Sequence, residues 1–224
     1  MKNGTAYATK LKKAFAKQRQ GVTVPDIPET DEAVRRLAIS ILGVDSSDAD
    51  AERAVDQALK DMADWNEIRV SSPKEINRAT GNKLPQGTQK CQRLIKALQS
   101  IYDRENRISL DALNGIGRRE SRHYLEELDG VDEYSVASVL LWSLGGHAIP
   151  VNNKLLESLR EADLVNPTAD RGEVQAFLER HVSAKDAKAF CLDMQSFSAK
   201  KRASARRGGA KRTSKSKNQL PQSS

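Results

Sequence analysis

Along this chain apolar side chains return every three or four positions, and no stretch alternates apolar with polar residues as a half-buried strand would. The reading is therefore all-helical. Residues 6–18 set Tyr7, Leu11, Ala14 and Phe15 on one face. After a linker with Pro25 and Pro28, Thr30 caps a helix that turns Val34, Leu37, Ala38, Ile41 and Leu42 inward. GVDSSD (43–48) interrupts the pattern, and Ser47 caps the next helix, which buries Ala51, Ala54, Val55, Leu59 and Met62. Ser72-Pro73-Lys74-Glu75 spells a capping box with proline at the first helical position, opening a short helix through Ala79. Residues 88–104 carry Cys91, Leu94, Ile95, Leu98, Ile101 and Tyr102 at helical spacing. Short helices at 109–114 and 117–128 follow, then a turn, then a very apolar helix from Glu133 to Leu144 that Gly145-Gly146 ends. HAIPV (147–151) is a short extended link, and helices at 152–163, 171–182 and 184–197 complete the body.

A chain of 224 residues is long enough for one large or two small domains with a real core. Its longest apolar run, near Val139–Leu144, is far too short to span a bilayer, so a membrane partner is not expected. The start, MKNGTAYATKLKKAF, lacks the apolar segment of a secretory signal. Cys91 and Cys191 lie 100 residues apart, each in an apolar helical pattern. They read as small buried hydrophobes in a reducing compartment, not as a disulfide framework or a metal cluster. His123, His147 and His181 sit in separate segments with no metal-ligand spacing.

Charge changes the picture, because the net +7 is unevenly placed. Nine of the 37 Lys and Arg follow residue 199, in KKRASARRGGAKRTSKSKNQLPQSS, which has no acid. Residues 1–199 therefore carry 28 bases against 30 acids, a net of −2. The tail, 199–224, is predicted to be disordered. Its Lys200, Lys201, Arg202, Arg206, Arg207, Lys211 and Arg212 suit sequence-independent binding to nucleic acid through counterion release. Lacking aromatics, it is better matched to duplex phosphates than to unstacked bases. The competing reading is a solubilising tail.

Two segments have the glycine–apolar pattern of a hairpin between helices, LNGIGRRE (113–120) and LDGVDEYS (128–135). In such a turn, glycine permits the bend and successive backbone N–H groups point at a phosphate oxygen. Each also fits a plain glycine-containing turn. The second is unusually acidic: Glu126, Glu127, Asp129, Asp132 and Glu133 fall within eight residues. Asp132 can be read as a helix N-cap.

Residues 93–156, RLIKALQ through VNNKLL, resemble the endonuclease III-like, helix-hairpin-helix-GPD superfamily of DNA glycosylases. Relatives there read roughly YL..LPGVGxKTA…VLLFxFGxxAxPVDTHV. ILGVDSSDADAERAV (41–55) resembles that family's ILSQNTSDxNAxRA segment, and the likeness covers about residues 28–165. It places the family hairpin at 128–135, not at LNGIGRRE. The family's essential Asp corresponds to Asn152, and the Schiff-base Lys of its bifunctional members corresponds to Tyr134. The family separates the two by eighteen residues, as here. Neither chemical group is intact. Tyr134 alone is compatible with monofunctional members, some of which have Tyr there. Asn152 has no charge to oppose a cationic sugar and cannot be a general base at neutral pH. The loop position that carries Gln in the endonuclease III pattern is Val44, which could wedge between bases but not hydrogen-bond one. LPGVG becomes LDGVD, so a carboxylate stands where close phosphate approach is needed. The family's four-cysteine iron–sulfur cluster is missing, and no cofactor or metal is expected.

The resemblance implies a two-domain helical fold. Residues 30–146 would form a six-helix domain holding the hairpin, and 1–29 with 147–198 a terminal helical domain. Gly130, Val131, Asp132, Tyr134 and Ser135, together with Val44 and the tail, are the candidate DNA contacts. The expected function is a divergent glycosylase homologue of base excision repair with weak or lost catalysis, bound to duplex DNA chiefly through its tail. The alternative is an active monofunctional glycosylase without lyase activity. A protein partner is a further candidate. The expected location is the nucleoid-associated cytoplasm in a bacterium or the nucleus in a eukaryote.

Overall fold

The computed structural model describes residues 4–18, 33–44 and 46–194, and these are all helix, turn and extended link. Thr30, the Pro25/Pro28 linker and the basic tail lie outside the described residues. The helices are α1 (Gly4–Gln18), α2 (Ala33–Gly43), α3 (Asp48–Asp61), α4 (Trp65–Val70), α5 (Pro73–Ala79), α6 (Gly87–Glu105), α7 (Arg118–Glu126), α8 (Glu133–Trp142), α9 (Asn153–Glu161), α10 (Arg171–His181) and α11 (187–194).

Local chemistry sets most of the boundaries. Ser47 accepts the Asp50 N–H to begin α3, and the Ser72/Glu75 box with Pro73 begins α5 as the sequence predicts. Two differences are informative. Helix α4 escapes the apolar pattern because it is a single turn and a half with one buried residue, Ile68. It exists because the Asp64 carboxylate accepts the N–H groups of both Asn66 and Glu67 at 2.8 Å. The helix predicted at 109–114 is instead a 3-10 turn, Asp111–Gly115, too short to propagate an α-helical ladder.

Two clusters of buried side chains organise the body. One runs from Val34 to Ala148 and includes Leu37, Ile41, Leu94, Leu98, Ile101, Leu125 and Val139. The other joins Leu11 of α1 to Leu141, Trp142, Val151, Leu159, Leu178, Phe190 and Met194. Helix α8 serves both, with every residue from Tyr134 to Trp142 buried. Val136, Ala137, Val139 and Leu140 face the first cluster, Leu141 and Trp142 the second. A helix apolar on all sides needs partners on all sides. Its ends are the two places where functional residues were expected: the hairpin precedes it, and the link to Asn152 follows it.

Candidate functional site

Helices α8 and α9 bring together Tyr134 and Asn152, the two positions to which the resemblance assigns the chemistry. Asn152 is the N-cap of α9, its side-chain oxygen accepting the Leu155 N–H at 2.8 Å. The same side chain hydrogen-bonds the Tyr134 phenol. Tyr134 is 8% exposed and Asn152 half-buried. Burial holds the phenol well above its ordinary range, and the nearby Asp48 carboxylate pushes it further the same way. The Asn152 hydrogen bond and the positive charge of Arg36 oppose this only partly. Tyr134 is therefore a neutral phenol at every physiological pH, a hydrogen-bonding group and not an anion. Arg36 also stacks over the Trp142 ring at 5.7 Å.

Asp48 belongs to the first turn of α3, in the SSDADAERA segment. It reaches Cys191 of α11 as well: burial and the Asp48 charge both push that thiol up. Cys191 is thus a buried thiol with no thiolate character. The loop that delivers Asp48 is held by two lysines. Lys90 of α6, 4% exposed, donates to the carbonyls of Leu42 (3.1 Å) and Val44 and to Ser46 Oγ (3.3 Å). Lys154 of α9 donates to the Ser46 carbonyl at 2.9 Å. The Lys90 ammonium thus serves the C-terminal end of α2, where carbonyls lack helical partners, and Lys154 holds the loop beyond it. Val44 sits half-buried in that loop with its carbonyl engaged by Lys90.

The hairpin lies against α6. Gly130 has φ +79°, and a Cβ there would come within 2.4 Å of the Arg93 carbonyl, so both backbone conformation and packing demand glycine. Asp132 caps α8, accepting the Ser135 N–H at 2.9 Å. Arg93 of α6 pairs with the Asp132 carboxylate at 3.2 Å and donates from Nε to the Gly130 carbonyl at 3.0 Å. Of the other hairpin acids, Glu127 meets Arg104 (3.2 Å) and Glu126 meets Arg122 (3.9 Å). Ser135 is fully buried, and Tyr134 nearly so; neither offers its side chain to a surface ligand. Val131 and Asp132 are half-buried at the turn. In LNGIGRRE the Gly117 N–H is given to Glu120 at 3.2 Å, while Arg118 and Arg119 are exposed.

The structure therefore joins Tyr134 to Asn152, groups Gly130, Asp132 and Ser135 at one turn, and ties Val44 into the loop between α2 and α3. Lys200, Lys201, Arg202, Arg206, Arg207, Lys211 and Arg212 lie outside the described residues. Sequence reasoning missed Arg93, Lys90, Lys154, Arg36 and Asp48. The first three look like ordinary polar positions on amphipathic helices. Only Asp48 carried a signal, its place in the SSDADAERA motif. Among the described residues no three His, Cys, Asp or Glu side chains come together as a metal set, and no helix is long and apolar enough to cross a membrane.

No protein-family model matches the chain. An Arabidopsis thaliana protein assigned as a DNA glycosylase is 22% identical over 156 residues, 69% of this chain. The match spans 52% of that relative, about half its length. Among solved structures, endonuclease III trapped as a covalent intermediate with DNA superposes with a TM-score of 0.67 at 14% identity, covering 85% of each chain. A thermostable thymine-DNA glycosylase gives 0.60 at 15% identity, covering 88% of this chain and 86% of its own. The Helicobacter pylori 3-methyladenine DNA glycosylase bound to ethenoadenine gives 0.64 at 15%, covering 88% and 98%. The chain thus has the all-helical fold of these glycosylases, as its motifs imply.

Proposed function

We propose, starting from this endonuclease III-like fold, that the chain is a DNA-binding homologue of the base excision repair glycosylases in which catalysis at the family positions is weak or lost. The two buried clusters are then its two domains, and the basic tail supplies the main duplex contact. No cofactor takes part, and the molecule works where DNA is, in the nucleoid or the nucleus.

The observation that carries this reading is the Tyr134–Asn152 pair. Cleaving an N-glycosidic bond builds positive charge on the sugar, which a preorganised carboxylate stabilises. Asn152 holds the place and the helix cap but carries no charge, and its oxygen is already engaged by Leu155 N–H. Tyr134 cannot form a Schiff base, and burial keeps it neutral. Loss of one such preorganised group costs roughly 10²–10³ in rate.

One observation favours the second reading, an active monofunctional glycosylase. Asp48 stands close enough to raise the Tyr134 phenol electrostatically, so a carboxylate does border the pair. In that reading Asp48 would stabilise the cationic sugar, and Asn152 would orient the attacking water.

Duplexes carrying uracil, a thymine mismatch, oxidised guanine or an alkylated base separate the two. Strand breaks are scored after alkali. The proposal expects duplex binding with cleavage at the background level. Lesion-specific cleavage that disappears in both Asn152→Ala and Asp48→Asn would establish the second reading instead.

A further inference from the structure

The hairpin is closed from within. Asp132 Oδ1 accepts the Ser135 N–H at 2.9 Å, and its Oδ2 lies 3.2 Å from the Arg93 guanidinium. A first-turn N–H and an arginine converging on one anion are the donors that would otherwise hold a phosphate oxygen. The turn is fixed in this arrangement: the Val131 N–H donates to Leu128 O at 3.3 Å, Arg93 Nε holds Gly130 O at 3.0 Å, and the Gly130 backbone rests on that of Arg93. Asp129, the other acid of the turn, is exposed, and its own N–H is taken by Ser100 Oγ at 3.2 Å.

We infer that Asp132 occupies the place where this hairpin would bind a duplex phosphate, so that the anion held there is the protein's own carboxylate, and that Asp132 sets how much the hairpin contributes to DNA affinity. The inference rests on the DNA-binding reading above. A unit negative charge about 5 Å from a phosphate weakens association about fourfold in water, and more at a lower effective dielectric. Removing it also frees Arg93 to meet the phosphate.

The test uses the full chain and a short fluorescent duplex, with binding followed by anisotropy over a salt series. Asp132→Ser and Asp132→Asn each keep a good helix cap while removing the charge. Asp129→Ser makes the same change in net charge three residues away without emptying the site. The expected result is that both Asp132 variants bind at least about fourfold tighter than wild type. Their salt slope should steepen by about one phosphate contact. Asp129→Ser should change affinity by less than the Asp132 variants do, and adding Arg93→Met to Asp132→Ser should remove the gain. Asp132 variants no tighter than Asp129→Ser would overturn the inference and leave the DNA reading intact. If no form of the protein binds the duplex, both fall.

Discussion

At position 152 an amide keeps the helix cap and drops the charge. Its oxygen accepts the Leu155 N–H as a carboxylate would, so an amide costs the fold little here, and in the proposed reading it leaves out the charge that the chemistry needs. Lys90 shows the opposite balance, a buried charge retained for structure. The residue is 4% exposed, and its ammonium serves three acceptors around the α2–α3 loop. Lys90→Met should leave those acceptors unmet and lower stability by about 1–3 kcal/mol in urea denaturation. Asn152→Asp should cost almost nothing there. Cys91 supplies a pH prediction. Burial pushes its thiol up to about 11 from the usual 9.0, against the opposing charge of Lys90. The folded state therefore favours the neutral thiol. Its contribution to stability is complete below about pH 9 and is lost as pH rises towards about 11. At pH 8 the thiol should react with iodoacetamide only as fast as the protein unfolds. Labelling at the rate of a free peptide thiol would contradict its burial.

The hairpin is the element where sequence and structure inform each other most. Gly130 combines a positive φ with contact against the Arg93 backbone, so Gly130→Ala should destabilise by about 1–3 kcal/mol or more, read as a lowered Tm. A neutral effect would mean that the hairpin does not lie on α6 as described. The hairpin's position was legible because glycine spacing and the eighteen-residue distance to Asn152 are local properties of the chain. The α5 box was legible for the same reason: Ser72, Pro73 and Glu75 act within one turn. What pairs with Asp132 was not legible. Arg93 is 39 positions earlier on a helix with many polar residues, and only the packing of α6 on the hairpin selects it. Asp48 likewise comes close enough to raise the Tyr134 phenol only through tertiary packing, although its motif was visible. Helix α4 was missed because a cap and one buried isoleucine leave no periodic signal.

For the whole molecule, in the proposed reading, the balance of charge decides where DNA is held. Residues 1–199 carry a net −2, and the acids Glu126, Glu127 and Asp132 are committed to arginines of the body. In that reading the nine positive charges after residue 199 are the main ones offered to phosphates. Truncation after Phe197 should therefore abolish most duplex binding and flatten the dependence of log Kd on log salt. A truncated chain that binds as tightly as the full one would mean that the body grips DNA despite its acids. In the proposed reading, whether DNA binding also serves catalysis turns on the carboxylate that position 152 lacks. Single-turnover cleavage of the four lesion duplexes by wild type and Asn152→Asp, side by side, tests this most directly. The expected result is background cleavage by wild type and a rate at least about 10²-fold higher for Asn152→Asp on one of the lesions. Efficient lesion-specific cleavage by wild type, unchanged or lowered in Asn152→Asp, would contradict it.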